Sequence, residues 1–164
     1  DRHDPHAPGC LVLDVAMPGL DGLQLQQALI AKGSEIPIIF LTGQGDIPTS
    51  VQAMKGGAVD FLTKPVHDDC LLAAIRAAIE KDRQQRQAGA EVAEIRQRLA
   101  TLTPREREVL EHVISGQLNK QTAAELGTVE KTIKVHRARM LAKMKVQSVA
   151  ELVWLAEKAG IRAA

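Results

Sequence analysis

Three side chains in the first half of the chain are of the kinds that together could carry a phosphoryl group. Asp14 ends the apolar run Leu11-Val12-Leu13, Thr42 ends Pro37-Ile38-Ile39-Phe40-Leu41, and Lys64 follows Asp60-Phe61-Leu62-Thr63. A carboxylate offers the acceptor oxygen, a hydroxyl can donate to one phosphoryl oxygen, and an ammonium can pair with another as a point charge. That chemistry needs all three on one edge. Each run is short, apolar and bounded by Pro or Gly, which reads as a buried strand. Helical stretches separate the runs, so the strands are expected to be parallel, with their carboxyl ends converging where open α/β sheets place their sites. Singly, each residue has an ordinary role: a loop carboxylate, a strand-end hydroxyl, a solvated charge. Their conjunction favours function.

The elements that must hold them are legible at the same level. Residues 21–32 read as a helix with Leu25, Ala28 and Leu29 on its apolar face and Gly33 as its stop. A shorter helix over 48–55 turns Val51 and Met54 inward and ends at Gly56-Gly57. A long helix starts near Asp68, with Leu71, Leu72, Ile75, Ala78 and Ile79 as its buried stripe. Gly43-Gln44-Gly45 lacks the lysine and third glycine of a nucleotide loop and is read as a loop after the second strand. Cys10 and Cys70 are expected to be small hydrophobes rather than a disulfide or metal pair. Asp1, His3, Asp4 and His6 have no ligand spacing and read as a solvated tail.

With 45% hydrophobic and 25% charged residues the composition is globular, and no apolar run approaches the roughly 18–20 residues of a membrane helix. No membrane partner is expected, and with no visible secretory leader the expected location is the cytoplasm. The net charge of +1 conceals an asymmetry: residues 1–80 carry five Lys/Arg and ten Asp/Glu, residues 81–164 sixteen and ten. An acidic half followed by a basic half suggests two modules with different partners. Between them, Lys81-Asp82-Arg83-Gln84-Gln85-Arg86-Gln87 reads as an exposed linker interrupted at Gly89. Val92, Ile95 and Leu99 then recur at helical spacing, either packing on the second module or forming a short paired seam.

Thr103-Pro104-Arg105-Glu106 is a capping box with Pro at the first helical position, and Val109, Leu110 and Val113 face inward behind it. Asn119 is expected to cap a second helix and Thr128 a third, with Gly127 in the turn between them, which fits a helix-turn-helix. Ser148 starts a fourth, whose Val149, Leu152, Val153 and Ala156 either supply a dimerising face or are all core. The third helix is the most telling. Residues 128–145 hold six Lys/Arg and one acid, with Ile133, Met140 and Met144 on one side and Lys131, Lys134, Ala138 and Lys145 on the other. A helix apolar on one face and basic on the opposite face can pack on its own domain while entering a major groove.

The first half, through Asp14 with Met17-Pro18-Gly19, Thr42-Gly43 and Lys64-Pro65, resembles the receiver domain of two-component response regulators. The resemblance implies that Asp14 is the phosphoacceptor, Thr42 and Lys64 contact the phosphoryl group, and Phe61 is the aromatic switch residue. Residues 101–161 resemble the LuxR-type helix-turn-helix, through Leu102-Thr103-Pro104-Arg105-Glu106-Arg107-Glu108-Val109-Leu110, Ala123-Ala124-Glu125-Leu126-Gly127 and Thr132-Ile133-Lys134-Val135-His136-Arg137. Together they resemble the NarL/FixJ family, and Thr42-Gly43-Gln44-Gly45-Asp46-Ile47-Pro48 leans toward its FixJ-like branch. The family's base-contacting positions fall on Lys134, Val135 and Ala138. Lys131, Thr132, His136 and Arg139 are candidates for phosphate or base contacts, and Lys120 for a backbone phosphate.

The expected fold is therefore α/β plus all-α. A partial doubly wound parallel-sheet receiver over 1–80, lacking the family's first strand and helix, joins a helical linker over 81–100. A four-helix LuxR-type helix-turn-helix domain follows over 101–164. The expected function is a DNA-binding transcriptional regulator controlled by aspartyl phosphorylation from a partner histidine kinase, homodimeric when active. A protein-interaction module, or a DNA-binding fragment independent of phosphorylation, is the alternative. An enzyme of the haloacid-dehalogenase kind would need an acid two residues after Asp14, where Ala16 stands. The paired acids that hold magnesium in receivers lie upstream of the strand that begins here, so magnesium, expected for an intact receiver, is expected to bind only weakly at Asp14.

Overall fold

The computed structural model describes residues 7–17, 19, 21–43 and 47–161. In the first of two units, residues 1–87, strands β1 (Leu11–Asp14), β2 (Ile38–Thr42) and β3 (Asp60–Thr63) form a parallel sheet in the order β1-β2-β3. Helices α1 (Gly22–Ala31) and α2 (Ile47–Lys55) connect them, and α3 (Asp68–Ala100) follows. The central strand explains the layers. Ile38 and Phe40 pack with Leu23 and Leu29 of α1 and Ala53 of α2, while Ile39, on the other face, packs with Ala74, Ile75 and Ala78 of α3. A strand covered on both faces must be apolar throughout, which is why this run does not alternate. Among the described residues β1 pairs with β2 alone, leaving its other edge without a strand.

Which helical residues face the sheet differs from expectation. In α2, Ala53 is fully buried while Val51 and Met54 are 44% and 46% exposed; in α3, Ala74 and Ala78 are buried while Leu72 and Ile79 lie open. The bulky β2 side chains already fill the space beneath the helices, so the positions of closest approach take alanine. In α1, Gln26 is buried and donates to the Ala53 carbonyl at 3.0 Å, whereas Ala28 is exposed. Cys10 is partly buried, but Cys70 lies exposed at the start of α3, so only the first behaves as a small hydrophobe. The expected break at Gly89 does not occur, since α3 runs through it. Nor is the polar stretch before it wholly exposed: Asp82 is buried, accepting the Gly9 N–H at 2.9 Å and pairing with Arg86 at 2.7 Å.

In the second unit, residues 88–164, α4 (Pro104–Ile114), α5 (Asn119–Glu125), α6 (Glu130–Met144) and α7 (Val149–Lys158) enclose one apolar cluster. Ile95 and Leu99 of α3 are part of it, so these two residues of the expected stripe pack on the second module. Thr103 and Glu106 form the capping box, with Glu106 Oε2 accepting the Thr103 N–H at 2.9 Å and Thr103 Oγ1 accepting the Glu106 N–H at 3.3 Å. Gly127 makes the turn between α5 and α6 with φ +61°, a left-handed conformation that favours glycine. Two expected caps move by one residue. Leu118 and Val129 occupy the N-cap positions of α5 and α6, and Gln121 Oε1 accepts the Leu118 N–H at 2.8 Å. Asn119 instead accepts a hydrogen bond from Arg137 at 3.0 Å, tying α5 to α6. Ser148 caps α7 as expected, but Leu152 and Ala156 are interior residues and cannot form a dimerising face.

The fold leaves little room at Gly22, the first residue of α1. A Cβ there would lie 2.6 Å from the Asp14 carbonyl oxygen and 2.9 Å from the Phe40 ring. Gly22→Ala must push either the end of β1 or the core aromatic aside, and overpacking of this kind costs about 1–3 kcal/mol. A lower urea midpoint at unchanged slope is expected; an unchanged midpoint would show that the strand end yields freely.

Candidate functional site

Asp14 is the last residue of β1 and Lys64 follows the last residue of β3, so the sheet sets both at the same edge. Lys64 Nζ lies 2.5 Å from Asp14 Oδ2, and the Ala16 N–H donates to Oδ1 at 3.0 Å. The Lys64 hydrogen bond, then that of Ala16, holds the Asp14 carboxyl below its ordinary pKa. Both side chains stay accessible, at 34% and 45% of their surface, so a ligand from solvent can reach the pair. Thr42 ends β2 at that edge, one residue past Leu41, the register partner of Asp14. It is 3% exposed, and its carbonyl accepts the Lys64 N–H at 2.7 Å. Phe61 packs into the apolar cluster, its ring 6.3 Å from that of Phe40. The described residues thus bring carboxylate and ammonium into contact at one edge, with Thr42 ending the neighbouring strand there and the aromatic on the adjoining core.

A magnesium ion fits the described residues poorly. It favours near-octahedral oxygen coordination with one or two carboxylates, yet no group of three or more His, Cys, Asp or Glu side chains among the described residues could hold a metal ion. Both Asp14 oxygens already accept hydrogen bonds. Asp1, His3, Asp4 and His6 lie outside the described residues, as do Pro18 and Gln44-Gly45-Asp46.

The second candidate surface is α6. Ile133, Met140 and Met144 are fully buried, while Lys131, Lys134, Val135, Ala138 and Arg139 are exposed and Thr132 and His136 partly so. Lys120 is exposed on α5. Lys134 pairs with Glu130 one turn earlier at 2.9 Å, an exposed contact that an incoming acceptor can replace at little cost. The basic count of the helix nevertheless overstates its free face. Arg137 is spent on Asn119, and Lys143 pairs with Glu106 at 2.6 Å, whose side chain is 4% exposed.

Sequence reasoning missed a set of cations seated on helix ends. Arg105 donates to the Leu126 carbonyl at the end of α5, Arg107 to Leu99 near the end of α3, Arg98 to Met144 at the end of α6, and Lys143 to Thr101 just past α3. The last carbonyls of a helix lack internal partners and carry partial negative charge, so each contact satisfies both needs. Counting charges cannot separate these residues from solvated ones. The signal available was the clustering of Arg98, Arg105 and Arg107 around the capping box; none pointed to Lys143.

Comparisons with known proteins match both halves of the chain to described families. A model of the response regulator receiver domain matches residues 1–76, and one of the bacterial regulatory proteins of the luxR family matches residues 100–156. The chain is similar to Nodulation protein W of Bradyrhizobium diazoefficiens, 50% identical over 159 residues that make up 97% of this chain and 70% of the relative. It is also similar to the transcriptional regulatory protein FixJ of the same species, 47% identical and covering 93% of this chain and 75% of that protein. Among solved structures, that of the response regulator StyR superposes with a TM-score of 0.82 at 46% identity, over 95% of this chain and 79% of the other.

Two pH responses follow. Asp14 and Glu106 both titrate below their ordinary values, Asp14 chiefly through Lys64 and Glu106 chiefly through Lys143. Folding favours the ionised form of each, so their stabilisation is present above the ordinary carboxylate range of about 3.9–4.3 and is lost as pH falls through the lowered pKa. Lys64→Ala should raise the Asp14 titration seen by carboxyl-carbon NMR, and an unmoved curve would show that the ammonium does not act on it. Glu106→Gln should flatten the acid limb of stability against pH; an unaltered limb would exclude Glu106 as its source.

Proposed function

The chain belongs to the response regulators that join a receiver domain to a LuxR-type DNA-binding domain, and we propose that phosphoryl transfer to Asp14 from a partner histidine kinase controls its binding to duplex DNA. The observation that carries the reading is the Lys64 ammonium on the Asp14 carboxylate at the carboxyl edge of the sheet. An Asp14 oxygen attacks the donor's phosphorus, the phosphorus–donor bond breaks, and the donor leaves with its electron pair. Lys64 then faces a dianionic phosphoryl group in place of a carboxylate and can pair with its oxygens, as the Thr42 hydroxyl can by donation. Phe61 is the proposed switch aromatic. The proposed division is a receiver over 1–80, a helical segment over 81–100 and the DNA-binding domain over 101–164.

On α6, Lys134 and Val135 are proposed to read bases, because a lysine can donate to guanine O6 and N7 and a valine can meet a thymine methyl. Lys120, Lys131 and Arg139 are proposed mainly to position the helix on phosphates, with Thr132 and His136 contacting phosphates or bases. The family consists of transcription regulators, and the active form is proposed to be a homodimer working on DNA in the cytoplasm. No helix among the described residues is long and apolar enough to cross a membrane.

With magnesium present, acetyl phosphate or the phosphorylated kinase should add one phosphoryl group to the protein, slowly because the described residues hold that ion poorly, and none to Asp14→Asn. Labelling of that variant at the parent rate would overturn the assignment. On DNA, Lys134→Ala should cost about 1–3 kcal/mol at a duplex selected by the parent and relax preference at one base pair. Lys120→Ala should weaken selected and scrambled duplexes alike and lower the salt slope by about one. Equal losses on both duplexes for Lys134→Ala would mean that it reads no base.

A further inference from the structure

We propose that Arg98, in the last turn of α3 and ahead of the helix-turn-helix itself, is a positioning residue for DNA recognition that fixes the pose of α6 through the Met144 carbonyl. The inference rests on α6 being the element that reads DNA.

Arg98 Nη1 donates to the Met144 carbonyl at 3.2 Å, and Nη2 is held by Glu94 at 2.6 Å. Met144 is the last residue of α6 and fully buried, and the next residue, Lys145, turns out of the helix with φ 56° despite not being glycine. The terminal carbonyl of α6 therefore needs a donor from outside its own helix. Arg98 brings one at a cost to itself, because its Nε is buried without a hydrogen-bond partner. That placement makes poor sense for a surface ion pair with Glu94 alone. It makes sense if the guanidinium is aimed at α6.

The tie is reciprocal. Lys143, also in the last turn of α6, reaches back to the Thr101 carbonyl at 3.0 Å and to Glu106 at 2.6 Å, and Arg107 of α4 holds the Leu99 carbonyl at 3.2 Å. The end of α6 is thus pinned to the segment 98–106 from both sides. Lever geometry gives this consequence for recognition. Lys134 lies ten residues from Met144, about 15 Å along the helix, so a tilt of about 5° pivoting at Met144 moves it by about 1.3 Å. Base contacts tolerate only about 0.5 Å of misplacement. Phosphate contacts made by long, flexible lysines absorb such a shift, so losing the tie should reduce discrimination more than total attraction.

The test uses the full chain and two duplexes, one selected by the parent from a randomised pool and one scrambled from it. Arg98→Ala should lose about tenfold in affinity for the selected duplex, the scale of one lost base contact. It should lose less than about twofold for the scrambled one, with an unchanged salt slope. Amide hydrogen exchange in the last turn of α6 should speed up, and Arg98→Lys, which keeps one donor, should recover most of the preference. Should Arg98→Ala unfold by circular dichroism, Arg98→Gln carries the same expectation. Equal losses on both duplexes with a shallower salt slope would make Arg98 a phosphate contact and overturn the proposal. Faster exchange with intact preference would overturn it as well. A parent chain that selects no duplex would overturn the DNA-binding reading, and this inference with it.

Discussion

Glu106 carries a charge that the second unit has removed from water, and the arrangement of its helices follows from having to compensate it. A carboxylate taken out of water without partners is costly, so Glu106 must be paired and hydrogen-bonded. Compensation comes from Lys143 at 2.6 Å and from the Thr103 N–H at 2.9 Å. The first contact brings the last turn of α6 against the start of α4; the second closes the cap that starts α4. Lys143 also meets the Thr101 carbonyl, so one carboxylate and one ammonium register the end of α3, the start of α4 and the last turn of α6. Thr103, Arg105, Glu106 and Arg107 are then best understood as a junction: cap, tie to α5, tie to α6 and tie to α3.

The first unit answers a different constraint. β2 is apolar on both faces and must be covered on both, by α1 and α2 on one side and α3 on the other. A parallel sheet built this way brings all strand ends to one edge, and Asp14 and Lys64, fifty residues apart in sequence, meet there. The close approach of Gly22 to the Asp14 carbonyl and Phe40 links that edge to the packing beneath it. The site is held by the core, and a change in one is felt in the other.

Much of this was legible in the residues. The three strands, the order of the helices, the capping box at Thr103 and the glycine turn at 127 are local signals, set by backbone conformation and hydrogen bonding within a few residues. What escaped were choices among neighbours of similar character. Val51 and Met54 were expected inward, where Ala53 stands; Asn119 was expected as a cap, where it accepts from Arg137; Asp82 was expected in solvent, where it is buried beneath Gly9 and Arg86. Periodicity identifies an apolar face but not which residue on it comes closest to the sheet. A cap residue with a partner on another helix looks the same in sequence as one without.

By itself, then, the sequence determined the class of each module, the strand ends at which Asp14, Thr42 and Lys64 stand, and the basic side of α6, because these depend on residue type and short-range spacing. Tertiary structure alone decided that Lys143 and Arg137 of α6 are engaged by Glu106 and Asn119, that Arg98, Arg105 and Arg107 cap the ends of other helices, and that Leu152 and Ala156 are interior rather than available to a partner. The physical reason is range. Helix caps and strand runs are settled by interactions within a turn or a strand, whereas the assignment of a cation to solvent, DNA or a distant carbonyl depends on which groups the packed chain brings within hydrogen-bond reach.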